Sequence, residues 1–427
     1  MKLNTNAIRS SALAAILDQA IYAATNLMLQ IGIARFSPPE ELGAFAVSST
    51  FFLAAAVIHQ TCIVEPMFVF SAQRFRVQIA SYHRRLIQGW SIAFGAGVAA
   101  TGLTLALIAI VLQSPLPLSQ SLVAFSLTSP VLLYFWLLRR MAFVLGRLDL
   151  AVLGGMVYGI ALMSGLGLAW KLSIFSSSVG IALSGIAAML AAATIALLLK
   201  RPLSAESSPP DMLYQHVRYG RWAFGSEVVN WLIANGPLLI LPLWFGLTAS
   251  ATFRVLNLLF MPLQQITAAL NTLYLRKITS NRSAQTNREF AVQASFLFLA
   301  ACIYTIAVSV AGPHLLLLIF GNEYSLDLGW IWLAGAGVTF FVTAQTLLVV
   351  LRAIERSSLV LAVHLIAILV MIFLTPLIAT HGIVGALSIQ TIGWACAMAA
   401  TIYLVLKQQP MADKHSTSKS TARDAPL

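Results

Sequence analysis

The sequence predicts an all-α polytopic membrane protein with twelve transmembrane helices in two pseudo-symmetric six-helix lobes. Three observations carry this prediction. Of 427 residues, 59% are hydrophobic and only 9% charged, with mean hydropathy +0.86, which excludes a soluble globular domain. Twelve apolar runs follow one another, each near or above the roughly 20 residues that cross the hydrocarbon core. Finally, 23 of the 26 Lys and Arg fall on alternate sides of those runs.

The runs lie at 10–34, 42–64, 86–112, 119–138, 150–170, 177–199, 222–246, 247–275, 290–313, 328–351, 357–380 and 382–406. The first is longer than the apolar core of a signal peptide and contains Asp18, so it reads as a retained helix. Between the first and second runs, Ser37-Pro38-Pro39-Glu40-Glu41 reads as a helix start. Its prolines suit the first helical positions, and acids in the first turn face the positive end of the dipole. Glu65-Pro66 predicts an interfacial kink at the end of the second run, and Pro262 a kink in the eighth. His59 lies toward the cytoplasmic end of the second run and is a weak signal, while His364 and Gln390 are single polar residues of the kind that hydrogen-bond neighbouring helices. Arg139 and Arg140 close the fourth run, where topology accounts for them.

Cations concentrate in one set of gaps: Lys2 and Arg9; Arg74 to Arg85; Arg139 to Arg147; Lys200 to Arg221; Arg276 to Arg288; Arg352 and Arg356; Lys407 to Arg423. The other set holds only Arg35, Lys171 and Arg254. The cation-rich side is the cytoplasmic one, so the expectation is a multi-pass protein of the cytoplasmic (inner) membrane with both termini inside. An odd number of spans would destroy the alternation. The net charge of +12 is explained by topology, so no nucleic-acid partner is expected. Cys62, Cys302 and Cys396 sit in apolar runs at no metal-ligand spacing, and no metal or other cofactor is expected.

The longest internal gap, with Ser204, Ser207, Ser208, Pro209 and Pro210, divides the chain. The expected organisation is a lobe at 1–203, a cytoplasmic linker at 204–216, a second lobe at 217–406 and a disordered cytoplasmic tail at 407–427. Sliding one half along the other by 209 positions pairs Arg9 with Arg218, Asp18 with Glu227 and Tyr22 with Trp231. It also pairs Asn26 with Asn235, Phe36 with Phe245 and Arg147 with Arg356. Six helices that return to the same side form a parallel repeat, an arrangement in which transporters place substrate between the lobes.

Asp18, Tyr22, Asn26 and Gln30 recur every four residues and share one side of the first helix. Glu227, Trp231 and Asn235 repeat that stripe on the seventh. An ionisable group at such depth needs a partner, a polar interior or water. One reading has both stripes line a cavity, with Asp18 and Glu227 exchanging H⁺ or Na⁺; the other has them fix helix packing. Arg254 is the one cation within a span, with Asn257 one turn on. It reads either as a fixed charge for an anionic head group, joined by Asn26, Gln30, Asn235 and Asn257, or as a side chain snorkelling to the interface.

Three segments resemble oligosaccharide flippases of the polysaccharide-transporter branch of the multidrug and oligosaccharidyl-lipid exporter superfamily. They are the link Ala34-Arg35-Phe36-Ser37-Pro38-Pro39-Glu40-Glu41-Leu42-Gly43-Ala44-Phe45, the stretch Ala251-Thr252-Phe253-Arg254 with Pro262, and Ile319-Phe320-Gly321-Asn322-Glu323-Tyr324. The resemblance implies two six-helix lobes in a V that open alternately. It further implies flipping of a polyprenyl-pyrophosphate-linked oligosaccharide to the outer leaflet for surface or exopolysaccharide biosynthesis, beside membrane lipid, a polysaccharide polymerase and export machinery. Two other readings stand beside it: a cation-coupled multidrug exporter of the same superfamily, and an integral-membrane polysaccharide polymerase. No large external loop is present to hold catalytic groups, so a transporter, not an enzyme, is expected.

Overall fold

The computed structural model describes residues 5–72, 74, 75, 77–199, 211–280, 287–324, 326–353 and 356–421. Every regular element among them is helical. The chain is an all-α polytopic membrane protein; among the described residues nine helical stretches are long and apolar enough to cross a membrane, one of which, Ala223–Asn271, holds two helices. The first six helices are α1 (Thr5–Phe36), α2 (Pro39–Ser71), α3 (Ile79–Val111), α4 (Leu116–Val144), α5 (Leu148–Lys171) and α6 (Ser177–Leu198). A continuous run, Met212–Ser280, then turns at Gly246, whose φ of 73° suits a residue without Cβ. Its halves are α7 (212–245) and α8 (247–280). α9 (Asn287–Phe320), α10 (Leu328–Ala353), α11 (Ser357–Leu374) and α12 (Pro376–Thr421), the last broken at Gly382 with φ 56° and ψ −126°, follow.

Several boundaries differ from those read in the sequence. Pro38 precedes α2 with Pro39, Glu40 and Glu41 in its first turn, as expected. The break in the long run falls at Gly246, where the seventh predicted run ends, whereas Pro262, expected to kink the eighth, keeps helical dihedrals. Helix α4 runs six residues beyond its predicted end, because Met141-Ala142-Phe143-Val144 continue the apolar surface after Arg139 and Arg140. The tail from 407, expected to be disordered, is helical through Thr421, since good helix formers such as Lys407, Gln408, Met411 and Ala412 extend α12. Residues 204–210 of the expected linker and residues 422–427 lie outside the described residues, and the linker's end is already the start of α7.

The chain forms two compact units that do not follow the midpoint of the sequence. One comprises Met1–Trp231, Leu238–Val255 and Leu315–Ser325; the other Leu232–Pro237, Leu256–His314 and Leu326–Leu427. The repeat is nonetheless written in the backbone. Arg147 precedes α5 with φ −97° and ψ 58°, and its counterpart Arg356 precedes α11 with φ −96° and ψ 51°. The Arg147 amide donates to Ala142 O at 2.9 Å and the Arg356 amide to Leu351 O at 3.0 Å, positions that again differ by 209.

Within the first unit, helix α2 carries the predicted irregularity near Pro66, but as a π turn over Gln60–Val64. Pro66 has no N–H, so the carbonyl of Cys62 loses its usual i+4 donor. His216 of α7 replaces it, with Nδ1 2.9 Å from that carbonyl. A carbonyl only accepts, so Nδ1 carries the proton and Nε2 accepts from the Tyr82 hydroxyl at 2.9 Å. One turn on, a Cβ at Gly220 would stand 2.8 Å from the Thr61 carbonyl oxygen, so glycine lets α7 close on α2. Trp90 meets the His216 ring edge-on at 4.7 Å.

Burial pushes the His216 imidazole down from the ordinary 6.5 to about 4, against the opposing pull of the Cys62 carbonyl. The unfolded chain therefore binds the extra proton between those values, and this contribution to stability fades as pH falls from 6.5 toward 4. The melting temperature of the detergent-solubilised protein should drop between pH 7 and pH 5. His216→Gln should flatten that drop while lowering stability at pH 7; parallel profiles would show that another group sets the slope.

Candidate functional site

The polar stripe of α1 supplies most of the site. Asp18 is fully buried, and Arg139 of α4 grips it through Nε–Oδ1 at 3.1 Å and Nη2–Oδ2 at 2.7 Å. This bidentate fork is the strong geometry for a guanidinium and a carboxylate. Arg139 is 6% exposed, so both charges are out of water and each depends on the other. The guanidinium also lies 4.5 Å from the centre of the Tyr22 ring. Helix α5 admits the pair because Gly155 faces it: a Cβ there would already touch Asp18 Oδ1 at 3.4 Å.

The network continues up the helix. Trp136 Nε1 donates to the Tyr22 hydroxyl at 2.5 Å, and the Tyr158 hydroxyl donates to Asn26 Oδ1 at 3.2 Å. Asn26 Nδ2 donates to the carbonyl of Tyr22 at 2.8 Å, and Gln30 Nε2 to the carbonyl of Asn26 at 3.2 Å. Each amide thus bonds the turn before it, which keeps the four-residue stripe in register. At the far end, Gln30 Oε1 accepts from Arg254 Nε at 2.7 Å. Arg254 therefore turns onto α1, and the snorkelling reading does not describe it. Among the described residues no carboxylate lies within ion-pair distance of it.

The structure brings together Asp18, Asn26, Gln30 and Arg254 as one chain of contacts. Glu227 belongs to the same compact unit, where Asn230 Nδ2 donates to it at 3.2 Å. Asn235 and Asn257 belong to the second unit. Sequence reasoning missed Arg139, Trp136 and Tyr158. It assigned Arg139 to topology alone, and the structure corrects this: the residue sits inside α4 as the counter-ion of Asp18. The apolar residues after Arg140 were the available signal. His59, set aside as a weak signal, is 1% exposed, and neither ring nitrogen has a hydrogen-bond partner among the described residues. No group of His, Cys, Asp and Glu suited to a metal ion occurs among those residues.

No family model matches the chain, and no curated protein does. Solved structures do. An inward-facing multidrug resistance MATE family transporter of the MOP superfamily superposes with TM-score 0.74 at 12% identity, covering 92% of this chain and 96% of that one. An outward-facing MATE family transporter gives 0.67 at 11% identity, over 96% of both chains. A MOP superfamily transporter from Pyrococcus furiosus, described as having a binding pocket of reverse polarity that suggests a different function, gives 0.59 at 12% identity over 93% of both. The fold is that of the MATE transporters.

Breaking the buried pair from one side leaves a bare charge, a loss of about 3–5 kcal/mol. Arg139→Ala and Asp18→Ala should each lower thermal stability strongly. The double change Asp18→Asn with Arg139→Met should recover most of it. A double variant no better than the sum of its parts would show that the two side chains contribute independently.

Proposed function

We propose that the chain is a membrane transporter working by alternating access, an exporter of amphiphilic compounds with preference for an anionic group. The multidrug-exporter reading draws support from the fold of the neighbours, which have been solved facing both sides of the membrane. The observation that carries the anionic preference is Arg254, held by Gln30 with no carboxylate in ion-pair range among the described residues. A guanidinium in such surroundings attracts a carboxylate, sulfonate or phosphate. Asn26 and Gln30 would offer amide groups to a polar substrate.

The Arg139 fork reshapes the expected role of Asp18 in ion exchange. In our proposal a proton reaching Asp18 would dissolve the ion pair and free Arg139. Glu227, which holds Asn230, would take the corresponding part in its own half. Both termini would face the cytoplasm, following the cation bias of the gaps.

Arg254 also favours a second reading, flipping of a polyprenyl-pyrophosphate-linked oligosaccharide, because a pyrophosphate is the anion a guanidinium binds best. In that case the product would pass to a polysaccharide polymerase and export machinery.

Proteoliposomes separate the two. Uptake of an anionic amphiphilic dye, competed by other small amphiphiles, should fall at least tenfold in Arg254→Ala and partly return in Arg254→Lys, while a cationic dye is moved poorly by either. Protection of a fluorescent prenyl-pyrophosphate sugar from an external quencher would instead select the flippase. Equal transport of the anionic dye by wild type and Arg254→Ala would remove the arginine from the site.

A further inference from the structure

A cavity lies in the first unit whose lining includes none of the residues named in the site above, although its Phe52 meets Trp136 edge-on at 5.6 Å. The Pro39–His59 stretch of α2 and the Ile92–Val111 stretch of α3 both pack on α4 but barely meet each other, while the other ends of the two helices join through Ser71 and His83, and this leaves a groove with α4 as its floor. Two glycines press α3 onto that floor: a Cβ at Gly95 would lie 3.0 Å from Pro130, and one at Gly102 would lie 2.3 Å from Ser126 Oγ. On the opposite face of the same helix, Gly97 has open space. The resulting cavity measures about 490 Å³. From Ala93 to Leu105 it extends along about 18 Å of α3, at 1.5 Å per residue.

The walls define the chemistry. Phe51, Phe52, Phe94 and Phe125 supply aromatic surface, and no charged residue lines the cavity. Hydroxyls provide the polarity. Thr101, Ser126 and Ser129 each donate to a carbonyl of their own helix and so present only lone pairs to the groove. Ser48 differs: it is fully buried, and its hydroxyl has no partner among the described residues. Leaving a buried hydroxyl unpaired is costly, and helical serines ordinarily bond the preceding turn. Among the hydroxyls that line the cavity, it is the one whose proton is not spent on its own helix. The mouth follows Ala93, Gly97 and Thr101, which are spaced one turn apart and exposed. Its neighbours on α3, Ile92, Leu103 and Leu107, are exposed apolar side chains suited to hydrocarbon.

We propose that this groove is a binding site for an uncharged, largely apolar molecule that enters from the bilayer and accepts a hydrogen bond from Ser48. The size falls within the range of small-molecule sites, about 300–1,000 Å³, which typically combine apolar walls with a few polar groups. The absence of charge separates it from Arg254, so the site stands or falls independently of the transport reading. A bilayer acyl chain would fill the apolar volume but give Ser48 no acceptor at that depth.

Tritiated progesterone, uncharged and apolar with ketone acceptors, is a suitable probe for the full-length protein in nanodiscs. Binding should be saturable. Gly97→Trp, which fills the mouth, and Ala55→Phe, which narrows the opposite wall, should each weaken it at least tenfold, with folding checked by melting temperature and monodispersity. Ser48→Ala should weaken it by about fivefold, the loss of one hydrogen bond. Arg254→Ala should leave it unchanged. No saturable binding, or binding indifferent to both filling variants, would overturn the site. So would a phospholipid that co-purifies with wild type, is absent from Gly97→Trp and is not displaced by progesterone.

Discussion

The absence of water in the hydrocarbon core governs this molecule. Every backbone group has to be paired within its own helix, which leaves helices and closed barrels as the only spanning forms. Polar side chains face the same demand, and the buried fork between Asp18 and Arg139 is the sharpest instance. One carboxylate placed in the first helix dictates an arginine on α4, a glycine on α5 to make room and an aromatic ring at the guanidinium face. Three helices of the first unit are thereby tied to one charge.

The repeat makes the choice visible. The Asp18 position returns as Glu227, but the Arg139 position returns as Leu348, fully buried. The halves share helix starts to within a few degrees at Arg147 and Arg356, yet differ in how an intramembrane acid is balanced. Backbone geometry has been kept where it defines the scaffold, and side-chain pairing has diverged where chemistry is carried.

Much of the architecture was legible because hydropathy and cation placement are one-dimensional signals that the bilayer enforces directly. The succession of apolar helices, the start of α2 at Pro38-Pro39 and the turn between α7 and α8 belong to this class. What escaped was pairing across sequence. The four-residue rhythm of Asp18, Tyr22, Asn26 and Gln30 was plain, but nothing in a single sequence says that Arg139 rather than an ion meets Asp18. Arg139 sat beside Arg140 at a predicted helix end, where topology already explained both. The π turn was half legible: Pro66 announced an irregularity, whereas its shift to Gln60–Val64 and its repair by His216 depend on a helix about 150 residues away.

That repair has an evolutionary corollary. A gene duplication yields two interchangeable modules only while each satisfies its own backbone. Once Pro66 stranded the Cys62 carbonyl and a side chain beyond the midpoint took it over, the first module ceased to be self-sufficient. Recombination that swapped the first six helices for those of a cousin would have to import the matching imidazole as well, so the two repeats are bound to be inherited as a pair.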